Sequence, residues 1–266
     1  VKRIAPKGTN VHLAAGGCFH EGLAAWFRTQ DQVKAVQALV SAWQAKKIPY
    51  DSNKNLVNLT FALEKYIQTY KNDTTPWLPE LIECSIALEV GSYLMVGYLD
   101  RVSRKEDYIA VWDSKTTSRP LTDYWFRGFE NNLQLSFYTL AVQSILGHCD
   151  VVMIDGIRLP VKNSDSFCRR SMNRTEIQLI EAAHTIKTCG QRIQESVAKP
   201  EDKIHEGFYQ NTESCSDYGG CPYLKLCKYG QRHPAVRIDF EIEEAQVFTW
   251  DSARKEAKVQ GRSAKT

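Results

Sequence analysis

Between Glu83 and Thr117 three short runs rich in Ile, Val, Leu and Tyr are separated by Gly91-Ser92 and Ser103–Asp107, whereas on either side apolar residues recur at threes and fours. Short β-branched and aromatic runs bounded by turn residues suit strands and a 3.6-residue recurrence suits helices, so this change sets β-structure between helical segments. Before it, Leu23, Trp26, Phe27, Val33, Val36, Leu39, Val40 and Trp43 predict one or two helices within His12–Ala45. Leu59, Ala62, Leu63, Tyr66 and Ile67 predict another over Leu56–Tyr70, closed by Thr74-Thr75-Pro76. The β-stretch predicts three strands, Glu83–Val90, Leu94–Val102 and Tyr108–Thr117, in an antiparallel meander. A helix over Asn131–Leu146, a strand over Val151–Leu159 and a helix over Thr175–Ser196, capped by Thr175, complete the pattern. This order calls for a mixed α/β architecture.

The 266 residues suffice for one enlarged domain or a domain with an appendage. Apolar residues at 43% and charged residues at 24% exclude a disordered, collagen-like or fibrous chain. A net charge of +3 means that any nucleic-acid contact comes from a local groove. The longest stretch without Asp, Glu, Lys or Arg, residues 131–149, is broken by Asn132, Gln134, Ser136, Gln143 and Ser144, so no membrane span is expected. The start of the chain has no apolar signal region and no Met, so further sequence upstream of Val1 is expected. Eight cysteines are too sparse for a disulfide scaffold, which points to a reducing compartment such as the cytoplasm. The basic tail from Arg254 is expected to fray.

Chemistry concentrates in Gly97-Tyr-Leu-Asp100 and Val111-Trp-Asp-Ser-Lys-Thr-Thr117. Asp113 and Lys115 share one strand face and Ser114 points the opposite way. With a four-residue turn over Arg104–Asp107, Ser103 pairs with Tyr108, Asp100 lies opposite Val111, and Asp113 is its diagonal neighbour at about 7–8 Å. Two carboxylates so placed can share one divalent cation, and hard oxygen ligands suit Mg²⁺ or Mn²⁺.

With these residues the chain resembles the PD-(D/E)XK nuclease superfamily, in the RecB-like branch that includes CRISPR-associated adaptation nucleases and phage-encoded exonucleases. Gln134-Leu-Ser-Phe-Tyr138 is similar to the Gln-x-x-x-Tyr signature on the helix after the catalytic strand, and positions i and i+4 share a helix face. Phe19-His20-Glu-Gly-Leu23 resembles the first-helix His of that branch. The resemblance implies a restriction-endonuclease-like core, a central mixed sheet flanked by helices, with helical additions and a C-terminal cysteine-rich segment. It implies residues 1–230 as the nuclease domain and 231–266 as a C-terminal extension. By it, Asp100, Asp113, the main chain of Ser114 and His20 hold the metal, Lys115 positions the attacking water, and Gln134 and Tyr138 support the site. Glu83 reads as an exposed strand residue that could serve as a supporting carboxylate.

Cys215-x5-Cys221-Pro-x4-Cys227 is a second constellation, set among glycines that let the backbone wrap closely. It reads as a metal loop. Zinc sites show closer pairs and four local ligands, and the resemblance favours a 4Fe-4S cluster whose fourth ligand lies upstream of this chain. Arg101, Arg104, Lys105, Arg119, Arg127 and Arg158, with Tyr124, Trp125 and Phe126 between them, are expected to line a groove for a phosphate backbone and its bases. The function implied is a metal-dependent DNA nuclease, an exonuclease acting on single strands or duplex ends in recombination, repair or phage and CRISPR DNA processing, with a helicase or recombination partner. Two other classes stay open: a cleavage-inactive nucleic-acid-binding accessory subunit of the same fold, and a zinc-stabilised interaction domain.

Overall fold

The computed structural model describes residues 2–7, 10–46, 48–162, 164–199, 215, 220–230, 234–244, 247–251 and 256–260. These form two compact units, Thr9–Ile186 with Trp250–Ala257, and Val1–Gly8 with Lys187–Thr249 and Lys258–Thr266. The chain opens with strand β1 (Lys2–Pro6), then α1 (Val11–Thr29), α2 (Gln32–Ala45) and α3 (Leu56–Thr69). The Asn10 side chain accepts from the first free amides of α1, His12 and Leu13, while Asp31 and Asn55 cap α2 and α3. Gly22 lets the three helices close up: a Cβ there would lie 2.7 Å from Leu63 and 3.2 Å from the Ala35 carbonyl. Phe19, Leu23, Leu39, Leu59, Leu63 and Tyr66 are buried together between them.

Strands β2 (Cys84–Val90) and β3 (Tyr93–Leu99) make a separate antiparallel hairpin. Strands β4 (Arg101–Lys105) and β5 (Tyr108–Thr117) begin the main sheet. The expected strand over Leu94–Val102 is therefore broken at Asp100, and the expected three-strand meander belongs to two different ladders. The expected register is also corrected. Glu106, with φ 55°, allows a two-residue turn, so Lys105 pairs with Tyr108 and Arg101 with Trp112. One residue further, Asp100 comes level with Asp113 and not with Val111.

A short helix α4 (Asp123–Arg127) and helix α5 (Leu133–Leu146) cross over to β6 (Val151–Arg158), parallel to β5, and β7 (Phe167–Met172) runs antiparallel to β6. The main sheet is thus mixed, in the order β4, β5, β6, β7. One of its faces packs Val111, Val152 and Ile154 against Phe126, Leu135, Phe137 and Ala141 of α4 and α5. Neither β7 nor α4 was expected from periodicity. Helix α6 (Glu176–Val197) follows, with Thr175 Oγ1 accepting from the Gln178 amide, and Ile186 joins this core.

In the other unit, α7 (Leu224–Tyr229) and α8 (Pro234–Asp239) lead into β8 (Phe240–Glu244), which pairs antiparallel with β1. Strands β9 (Val247–Asp251) and β10 (Glu256–Gln260) pair with each other. Of the tail expected to fray, residues 254–255 and 261–266 lie outside the described residues.

Candidate active site

Strand β5 organises the centre. Its edge partner β4 ends at Arg101, which leaves the next amides of β5 without a strand to accept them. Asp100 takes over that role with its side chain: Ser114 N donates to Asp100 Oδ2 at 2.6 Å. The carbonyl of Asp100 meanwhile accepts from Glu83 N at 2.8 Å, tying the base of the β2–β3 hairpin to the same point. Glu83 reaches this position with φ 45°, in the left-handed region that non-glycine residues rarely occupy. Gly97, three residues before Asp100, has its own reason. A Cβ there would lie 2.6 Å from Phe137 Cε1, so the glycine lets α5 approach the hairpin and bring Gln134 and Tyr138 to the site.

From α1, His20 Nδ1 lies 3.4 Å from Asp100 Oδ2 and 3.6 Å from Glu83 Oε1. One donor atom from each of these three residues lies within 4.8 Å of the others, and among the described residues no other His, Cys, Asp and Glu set is grouped in this way. Six ligands about 2.1 Å from a hard divalent cation are separated by roughly 3–4.2 Å, so one imidazole nitrogen and two carboxylate oxygens at this spacing fit such an ion. Glu83, expected to be an exposed strand residue, is therefore part of the donor set.

Asp113 stands beside that set, almost wholly buried, with Oδ2 2.8 Å from Lys115 Nζ. Lys115 also donates to Gln134 Oε1 at 2.9 Å, and Gln134 Nε2 donates to Tyr138 Oη at 2.8 Å. The four residues form one relay from strand to helix. Ser114, between Asp113 and Lys115, turns its hydroxyl to the opposite face of the sheet, where it accepts from Arg101 Nη1 at 2.6 Å.

The charges are balanced by proximity. Burial alone would lower the pKa of His20, but Asp100 and Glu83 outweigh it and hold the imidazole up to about 10. Burial would raise Asp100, yet the adjacent imidazolium, the Ser114 amide and Arg101 keep it below the usual carboxylate range. Burial, with the Asp100 charge added, pushes Asp113 up to about 6 against the pull of Lys115. Glu83 is raised, chiefly by burial. Tyr138 is raised by burial and by the two aspartates, so it stays a neutral phenol. Without metal, the His20 proton is the positive charge between Asp100 and Glu83, in the place where a cation would neutralise both.

Other expected residues fall out differently. Arg101 is only 1% exposed and cannot line a groove. Of the aromatic trio, Phe126 is buried, Trp125 is half-buried against Phe126 and Phe129, and only Tyr124, at 85% exposure, is free to stack on a base. Arg127 is exposed and lines a cavity of about 490 Å³ with Arg170 and Arg174. Cys215 and Cys221 are half-buried and Cys227 is exposed, and none of the three is joined in a disulfide among the described residues. Cys221 N donates to the Cys215 carbonyl at 2.8 Å, and Cys227 sits one turn after Tyr223 on α7. No helix of the described residues is long and apolar enough to cross a membrane.

A mixed sheet whose central strand presents Asp-x-Lys beside a second Asp, with a His and a Glu converging on it, gathers the hard oxygen and nitrogen donors that suit a divalent cation. The profile of the PD-(D/E)XK nuclease superfamily matches residues 2–228, and the chain belongs to that superfamily. Among solved structures, a Eubacterium rectale protein described as a candidate exonuclease is similar at 15% identity and a TM-score of 0.48, over 77% of this chain and 71% of that one. The protein SSO0001 is similar at 12% identity and a TM-score of 0.32, over 66% of this chain and 74% of its own. No curated protein sequence matches the chain.

Proposed function

We propose that this protein is a Mg²⁺- or Mn²⁺-dependent DNA nuclease that acts as an exonuclease on single strands or duplex ends. The observation that carries this reading is the convergence of His20, Glu83 and Asp100 donor atoms within 4.8 Å of one another, next to the buried Asp113–Lys115 pair. His20, Glu83, Asp100 and Asp113 hold the cation. When bound, the cation supplies a water of lowered pKa and offsets charge on the phosphate oxygens. Lys115, braced by Asp113 and Gln134, directs its ammonium at the attacking water and at the negative charge that builds on the phosphorus oxygens. Gln134, fixed between Lys115 Nζ and Tyr138 Oη, sets the direction of that ammonium. The main chain of Ser114 is held by Asp100 and serves as a further ligand position.

Substrate strands approach across α4, where Tyr124 stacks on a base and Arg119 and Arg127 meet phosphates. Cys215, Cys221 and Cys227 serve as thiolate ligands of a 4Fe-4S cluster, and a helicase or recombination partner delivers the DNA end. The backbone hydrogen bond of Cys221 to Cys215 and the place of Cys227 on the adjoining α7 support the first of these.

End-labelled linear single strands and duplexes, and a closed single-stranded circle, incubated with Mg²⁺, Mn²⁺ or chelator test the reading. Metal-dependent loss of the linear substrates with the circle intact is expected. Cleavage of the circle would replace exonuclease by endonuclease, and no cleavage of any substrate would overturn the nuclease reading.

A further inference from the structure

Behind the catalytic strand lies a charged cluster that the chemistry of cleavage does not itself require. Arg101, Ser114, Asp155 and Tyr66 are each no more than 1% exposed. Arg101 donates through Nη1 to Ser114 Oγ and through Nη2 to Asp155 Oδ2, and Tyr66 Oη donates to the same Asp155 oxygen. Arg169 pairs with Asp73 at 2.5 Å and donates to Tyr66 Oη at 3.0 Å. The Arg101 guanidinium is boxed by aromatic rings, 4.2 Å from the centre of Phe27, 5.1 Å from Trp77 and 5.2 Å from Trp112.

Burying this much charge is a poor way to gain stability. Desolvation takes back most of what the attraction gives, and replacing both members of a buried pair by apolar residues often costs nothing in stability. What such a cluster does supply is direction, because a guanidinium held through both terminal nitrogens at fixed angles cannot slide as an aliphatic chain can. Here the direction is handed to the metal-binding edge. Arg101 follows Asp100 in the chain and holds Ser114 by its hydroxyl, while Ser114 holds the Asp100 carboxylate by its amide.

We propose that Arg101 and Asp155 are positioning residues for the metal site, acting through Ser114 to fix the Asp100 carboxylate in the orientation that a divalent cation needs. The proposal rests on the metal-binding reading of His20, Glu83 and Asp100. It extends that reading to residues on the far face of the sheet that touch neither metal nor DNA.

The test compares the full chain with the double variant Arg101→Met/Asp155→Leu, which leaves the Arg169–Asp73 pair in place but removes the Asp155 carboxylate 3.5 Å from Arg169 Nε, and with Ser114→Ala. Mn²⁺ alone is titrated into each metal-free protein and followed by electron paramagnetic resonance. Melting temperature and DNA affinity in chelator are measured alongside. Removing an outer-shell partner lowers metal affinity by about 10–100-fold, and this is the fall expected for the double variant, with a smaller fall in the same direction for Ser114→Ala. DNA affinity should stay close to that of the wild type, while the melting temperature should fall in both variants, since Tyr66 and Arg169 lose Asp155 in the double variant and Arg101 Nη1 loses Ser114 Oγ in Ser114→Ala. Mn²⁺ affinity within twofold of wild type in the variants that fold would overturn the proposal, and if the double variant does not fold, Ser114→Ala decides alone. Wild-type protein that binds Mn²⁺ but cuts no DNA would remove the nuclease reading and leave the affinity comparison valid. Wild-type protein that binds no Mn²⁺ would remove both.

Discussion

A proton held between Asp100 and Glu83 should compete openly with the metal. With the imidazole of His20 raised to about 10, the group is almost wholly protonated at neutral pH. Freeing its nitrogen at pH 7 costs about 4 kcal/mol, three pH units at 1.36 kcal/mol each. Metal affinity should therefore climb about tenfold per pH unit, or about 30-fold between pH 7 and 8.5, and each bound ion should release about one proton. Below about pH 6 the Asp113 carboxyl also takes up a proton, and the dependence should steepen. Isothermal titration of Mg²⁺ in two buffers of different ionisation enthalpy counts the protons directly. In His20→Asn the proton release and the slope above pH 7 should both vanish. A wild-type count of zero, or an unchanged slope in His20→Asn, would refute the placement of His20 among the ligands.

The same raised imidazole stabilises the metal-free fold. That contribution is complete below about pH 6.5 and drains as the pH rises through about 10, so thermal denaturation without metal should show falling stability from pH 7 to 10 and added Mg²⁺ should flatten the fall. Asp113→Asn and Lys115→Met should each lower cleavage of labelled DNA by orders of magnitude while gel-shift binding persists, since both act on the reacting centre. Gly97→Ala drives a methyl into Phe137, and overpacking of this kind costs about 1–3 kcal/mol in chemical denaturation. It should also lower turnover, because Phe137 lies on the helix that carries Gln134 and Tyr138. Arg127→Ala should weaken DNA binding and reduce the slope of log affinity against log salt by about one, as loss of one phosphate contact does.

Much of this molecule is legible in its sequence because periodicity reports burial. The helices over His12–Ala45, Leu56–Tyr70 and Asn131–Leu146 appear at nearly their predicted limits, and Asp113, Lys115, Gln134 and Tyr138 meet as the motif spacing implies. What escaped depends on single backbone angles and on contacts distant in sequence. The left-handed angle at Glu106 shortened the turn by two residues and moved Asp100 level with Asp113. Nothing local marks Glu83 as a neighbour of His20, since sixty-three residues separate them. Arg101 reads as a groove residue when grouped with the other basic residues around the aromatic trio, whereas Asp155 on β6 takes it into the core. A signal for that was present: Asp155 interrupts Val-Val-Met-Ile with a charge in the middle of a strand apolar enough to be fully buried.

Position 83 carries a wider consequence. A non-glycine residue in the left-handed region gives up about 1–2 kcal/mol relative to its relaxed backbone, and glycine or asparagine would stand there more comfortably. The chain keeps a glutamate at that strained point, with its amide fixed by Asp100 and its carboxylate turned toward His20. On the proposed metal-binding reading, a glycine at this point would relax the backbone and make the chain more stable while removing one of the cation's ligands. Stability and metal holding are thus set against each other at a single residue.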